Sequence, residues 1–357
     1  MTRPRAARRP PWGHAHAQIE RICAAPSDDR ALRASILEQI RLVVPFDAYV
    51  WVLTDPETTV GASPLAEVPS LSDLPSVIRL KYLTPINRWT GLPPDKVMTL
   101  ADVTGGDLLR SALWRELLHS YGVHDIVSAV LHDTMGCWGF LDLWRTSAQQ
   151  PAFTPDEQAF LTAVLTTLTR SLRASLAATF STPTGLGPPD GPAVLLLTDA
   201  LRPVGRTPRI DDQLRALLPT PAGHFPVPAV ALNVAAQLLA IEAGVDAHPP
   251  SARVHQAHGR WIEVQAARLS PEPATGPTIA VTIERATPSR RIGVYSRVMG
   301  LTRRETELLN HLVSGADTRA TARALSVAEH TVNDHLRSIF AKAGTNSRRQ
   351  LIANAHG

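Results

Sequence analysis

The sequence predicts a multidomain chain in which two α+β domains precede a small all-α domain of four helices. Three observations carry that prediction. Strand-like runs rich in Val and aromatic residues alternate with helical patterns up to about residue 286, after which no strand signal recurs. The stretch STPTGLGPPDGP at 181–192 is too dense in Pro and Gly to continue a helix and reads as a linker. The chain has 357 residues, 44% hydrophobic and 19% charged, which suits two or three domains with ordinary cores at roughly 100 to 200 residues each.

At the N terminus, MTRPRAARRPPWGHAH is basic with no apolar run behind it, so it reads as a solvated tail and not as a signal peptide. Residues 1–30 are therefore assigned to this tail and the start of an opening helix. The first domain occupies 31–180. LRASILEQIRLVV repeats apolar residues at helical spacing and stops at Pro45; AYVWVLTD follows as a strand. DIVSAVLHDT and CWGFLDLWR flank Met135-Gly136 and make a hairpin. A long helix then begins in FTPDEQAF, with Thr as cap, Pro in the first turn and acids nearby. Helix, strand, hairpin and long exit helix in this order resemble a GAF domain. The cyclic-nucleotide signature of some GAF domains is absent, so the resemblance implies a sensor without naming its ligand.

The second domain spans 193–286. AVLLLTDALRPVG begins a strand and turn, RIDDQLRALLP and PAVALNVAAQLLAIEA read as helices, and SARVHQAH, RWIEVQAARL and PTIAVTIERA read as three strands. This succession resembles a PAS-like sensor fold. TPSRR closes the domain.

The third segment, 296–357, holds nine basic residues against five acidic ones, so it carries all of the chain's net charge of +4 while the rest is balanced. Thr302 lies three residues before Glu305, the spacing of a capping box. Leu308, Leu309, Leu312 and Val313 share one face of that helix, and Asp317 is placed to cap the next. Ser326, Val327 and Ala328 then turn the chain into AEHTVNDHLRSIFAKAG. On a helical wheel Val332, Leu336, Ile339 and Phe340 form a buried stripe, while His330, Asn333, Asp334, Arg337, Ser338 and Ala341 form a face without large apolar groups. One α-helix fits the major groove.

The pattern LT-x-RE-x-E-x-L followed by EHTV-x-x-HL-x-x-IF-x-K-x-G-x-x-SR resembles the LuxR-type (LuxR/FixJ) helix-turn-helix. The resemblance implies that 329–343 is the recognition helix. It places Asn333, Asp334 and Arg337, beside His330, at base edges, and Thr331, Arg319, Lys342 and Arg348 near phosphates. Relatives commonly carry Lys in place of Asn333 and Glu in place of Ala320, so operator preference does not transfer. The resemblance further implies a cytoplasmic transcription regulator that binds double-stranded DNA as a homodimer, controlled by a signal or by dimerisation through its N-terminal domains. The competing reading is a sensor that acts through protein partners and carries a weak DNA module.

No catalytic constellation is found: there is no G-x-x-x-x-G-K-[ST] loop, G-x-S-x-G elbow or H-E-x-x-H motif, and an enzyme is not expected. Cys23 and Cys137 are too few for a disulfide framework or a four-cysteine zinc site, and His330 and His335 lack a third ligand at useful spacing. No cofactor and no membrane contact are expected. A small-molecule effector of the first domain is the one ligand left open, with Trp51, Cys137, Trp138 and Trp144 as its candidate pocket. The same four residues also read as ordinary core.

Overall fold

The computed structural model describes residues 12–25, 27–94, 96–147, 149–181, 193–208, 210, 227–256, 260–269 and 278–356. The chain divides into two compact units. One holds residues 1–53, 64–133 and 138–175, the other 54–63, 134–137 and 176–357.

In the first unit, helix α1 (Trp12–Ala24) packs on α2 (Asp29–Val43). The sequence reading placed a solvated tail where α1 begins. Ala15 and Ile19, one turn apart, are buried, and the Trp12 ring meets Phe160 edge-on at 5.5 Å, so apolar burial outweighs the polar look of the segment. Residues 1–11 lie outside the described residues. Helix α2 starts where the Asp28 carboxylate accepts from the amides of Arg30 and Ala31, and it buries Ile36, Leu37 and Ile40.

The sheet of this unit runs β2-β1-β5-β4-β3, with β1 (Ala48–Thr54), β2 (Gly61–Glu67), β3 (Met98–Thr99), β4 (Asp125–Asp133) and β5 (Gly136–Arg145). Strand β2 was missed because GASPLAE carries Gly, Ser and Pro; it lies at the sheet edge, where a proline is tolerated. The short helices α3 (Leu74–Leu83), α4 (Leu100–Thr104) and α5 (Ala112–Glu116) fill the segment between β2 and β4. The exit helix α6 (Pro155–Thr179) is capped as its sequence suggests: the Glu157 amide donates to Thr154 Oγ1 at 3.3 Å, and the Thr154 amide donates to Glu157 Oε2 at 2.9 Å.

The second unit contains a sheet ordered β7-β6-β10-β9-β8, formed by β6 (Ala193–Thr198), β7 (Pro203–Arg206), β8 (Ser251–Gln256), β9 (Arg260–Arg268) and β10 (Thr278–Arg285). Counted within each sheet, both follow the order second, first, fifth, fourth, third. Helix α7 (Ala229–Glu242) lies on this sheet and is buried almost all round, as its run of Ala, Val and Leu requires. The linker at 182–192 and the helix expected in RIDDQLRALLP, apart from Ile210, fall outside the described residues.

TPSRR, expected to close the second domain, lies at the start of a helix. It opens helix α8 (Pro288–Met299), in which Thr287 Oγ1 accepts from the Arg290 amide, Pro288 occupies the first turn, and Gly300 ends the helix at φ +68°. A Thr-Pro pair that looks like a stop is here a start signal. Four helices follow: α9 (Arg303–Val313), α10 (Thr318–Ala324), α11 (Glu329–Ala343) and α12 (Arg348–His356). Helix α8 packs against both α9 and α12. Among the described residues no helix is long and apolar enough to cross a membrane.

Candidate nucleic-acid interface

Helix α9 begins with the capping box that its spacing suggests. Thr302 Oγ1 accepts from the Glu305 amide at 3.2 Å, and the Thr302 amide donates to Glu305 Oε2 at 2.6 Å. The same carboxylate reaches α11. Ser338 Oγ donates to Oε1 at 2.6 Å and Lys342 Nζ to Oε2 at 2.6 Å. Glu305 is 3% exposed, and burial by itself would raise its pKa. The hydrogen bonds from Lys342, Ser338 and Thr302 outweigh that and hold it at about 2. One buried anion therefore ties the start of α9 to the C-terminal half of α11.

The Asp317 carboxylate caps α10 by accepting from the Ala320 amide at 2.7 Å. Between α10 and α11 the chain turns through Ser326 at φ +53°, and the Val327 amide donates back to Ala322 O at 3.0 Å. Ala328 then takes the capping position before α11 and offers no side-chain cap. Val332, Leu336 and Ile339 are buried, as the wheel suggests, whereas Phe340 is only half-buried.

The opposite face is open. His330, Asn333, Asp334, Arg337 and Ala341 are exposed, Thr331 is half-buried, and Arg319 is exposed on α10. Two residues expected at phosphates also have structural partners within the domain. Lys342 is bound to Glu305, and Arg348 donates through Nη2 to the carbonyl of Ala316, so part of each cation is used to hold the helices together. Neither partner is visible in local spacing, because each lies more than 30 positions away in the chain.

The candidate effector residues do not gather at one place. Trp51, Cys137, Trp138 and Trp144 are all buried, but in the β1–β5 register Trp51 lies opposite Leu141 and Ala48 lies opposite Trp144. Period-two alternation then puts Trp51 and Trp144 on opposite faces of the sheet. Trp138 has the Arg173 guanidinium 5.7 Å from its ring.

The polar group that sequence reading overlooked lies on the Trp144 face. Lys81 Nζ stands 2.9 Å from Asp142 Oδ2, and Trp89 Nε1 donates to Asp142 Oδ1 at 3.0 Å. Burial pushes the Lys81 ammonium below its usual range against the pull of Asp142. A Lys within LPSVIRLKYL reads as a surface charge, so nothing local marks it as buried. Among the described residues no group of three His, Cys, Asp or Glu is placed to hold a metal ion.

Residues 299–355 match the family model GerE, described as bacterial regulatory proteins, luxR family. They are a LuxR-family helix-turn-helix domain. Two curated relatives are each 41% identical to this chain over 56 residues: the probable csgAB operon transcriptional regulatory protein of Salmonella typhimurium and the CsgBAC operon transcriptional regulatory protein of Escherichia coli. In both cases the match covers 16% of this chain and 26% of the relative, so this chain spans about a quarter of the length of the curated relatives it matches. Among solved structures, Escherichia coli SdiA aligns over 96% of both chains at 15% identity with a TM-score of 0.35.

Proposed function

We propose that the protein is a transcriptional regulator that reads double-stranded DNA with α11. The observation that carries this reading is the open face of α11 in a LuxR-family domain: His330, Asn333, Asp334 and Arg337 present hydrogen-bonding groups, with no large apolar side chain among them. An α-helix of this kind fits the major groove, where base edges offer acceptors to Arg and paired sites to Asn. Arg319 and Thr331 supply phosphate contacts from the flanks. Lys342 and Arg348 keep a share of that role through the N–H groups their structural partners leave over.

The two N-terminal sheets, alike in strand order, suit a pair of sensor modules of the GAF-like and PAS-like kind. They control the DNA-binding domain through a small-molecule effector or through homodimerisation on paired half-sites, in a cytoplasmic setting. The test is selection of bound duplexes from a random pool by the intact chain and by Arg337→Ala. The intact chain should enrich a defined sequence, and affinity should fall steeply with salt, by about 0.9 in log–log slope per phosphate contact. An enriched sequence that is indifferent to Arg337 would overturn the assignment of α11 as the reading helix. Failure to enrich any sequence would overturn the regulator reading and favour a sensor that acts through protein partners.

A further inference from the structure

Asp334 is the odd member of the reading face, because a carboxylate facing a phosphate-lined groove is repelled unless something in the groove donates to it. Its geometry suggests what that is. Asp334 Oδ1 accepts from Arg337 Nη1 at 2.7 Å, both side chains are largely exposed, and the two lie three residues apart on one face of α11. Helical side chains lean toward the N-terminal end, so Arg337 extends back over Asp334 toward the end of the helix that enters a groove. Of the five guanidinium N–H donors this contact uses one. The exposed face of α11 thus presents donors from Arg337 beside an acceptor from Asp334.

The major-groove edges of base pairs differ in the pattern that meets such an array. A G·C pair shows acceptors at guanine N7 and O6 and then a donor at cytosine N4, which is the complement of two donors followed by an acceptor. An A·T pair shows an acceptor at N7, a donor at N6 and an acceptor at thymine O4. Against it, an Arg337 donor faces a donor and the Asp334 carboxylate faces an oxygen, so two buried polar groups go unpaired. Resting on the DNA-reading function proposed above, we propose that Asp334 and Arg337 act as one composite reader of a G·C pair, with Arg337 donating to guanine N7 and O6 and Asp334 accepting from cytosine N4. Asp334 is then a specificity-determining residue, acting as much by rejecting A·T as by holding G·C.

The alternative is that the pair is an ordinary exposed i,i+3 ion pair of little energetic consequence. Binding of the intact chain to its selected duplex, with each position changed in turn, separates the two. Wild type should show one G·C pair per half-site whose change to A·T weakens binding roughly 5- to 150-fold. Asp334→Ala should lose most of the discrimination at that same pair and leave the other positions unchanged, while its affinity for unrelated duplex rises because a repelled carboxylate is gone; Arg337→Ala should lose discrimination at the same pair. The proposal is overturned if Asp334→Ala retains the wild-type penalty at every position, or if the two variants relax different positions. If wild type selects no sequence at all, the DNA-reading function falls and the composite reader with it.

Discussion

Glu305 shows how much one side chain decides in the LuxR-type domain. Its capping role is legible in the sequence, since Thr302 and Glu305 have capping-box spacing and the box is formed. Its bonds to Ser338 and Lys342 span 33 and 37 positions, and no periodicity argument reaches that far. The resemblance that places Lys342 near phosphates is likewise silent on its bond to Glu305, because that partner lies on another helix. The pKa of about 2 gives a prediction with a definite sign. A carboxylate held below its unfolded value near 4.3 contributes stability that is fully present above that value and is lost as pH falls toward 2. Glu305→Gln should therefore destabilise the chain at pH 7 by about 1–3 kcal/mol. Denaturant unfolding repeated at lower pH should show the gap between wild type and variant closing from about pH 5 downward. A gap that does not change with pH would contradict the assignment.

Among the elements, α11 is the one the sequence describes best, because its expected span 329–343 is the observed one and three of the four residues of its expected apolar stripe, Val332, Leu336 and Ile339, are buried, Phe340 being half-buried. Helix α8 is the one it describes worst. That helix holds Gly293 in its interior, where glycine ordinarily costs about 1 kcal/mol relative to alanine. The reason is a close approach. A Cβ at Gly293 would stand 3.0 Å from Arg253 Nη1 and 3.4 Å from Glu57 Oε2. Arg253 cannot give way, because Nη1 donates to Arg290 O at 3.1 Å while Nε and Nη2 each hold an Asp55 oxygen at 2.6 Å. Gly293→Ala should thus reverse the usual sign and lower the midpoint of thermal unfolding in spite of its better helix propensity. A raised midpoint would show that the arginine yields.

For the molecule as a whole, what sequence order cannot convey is that the second unit is assembled from three separated stretches of chain. Residues 54–63 and 134–137 join 176–357, and a bond network ties 54–63 to the last stretch. Asp55, 1% exposed, accepts from the side chain and the amide of Arg253; Thr58 Oγ1 donates to Ser251 O at 2.6 Å, and Asn233 Nδ2 donates to Gly61 O at 3.0 Å. Burial works against the Asp55 charge, but Arg253 overcomes it and holds the carboxyl below its usual range, while Asp55 and Glu57 hold the Arg253 pKa above its own. Nothing near Asp55 in the sequence marks it as buried, since TDPETT is a turn signal and turns are expected at the surface. A buried pair of this kind is costly to form and more costly to break, because removing one partner strands the other without water. Arg253→Ala alone should destabilise the second unit by about 3–5 kcal/mol, since it leaves the Asp55 charge buried and unpaired. The double variant Asp55→Ala with Arg253→Ala removes both charges and should cost clearly less than the sum of the two single changes, with a coupling within about 0.5–3 kcal/mol. A double-mutant cycle by denaturant unfolding measures that coupling directly. Simple additivity would mean that the two groups do not hold each other in the folded chain.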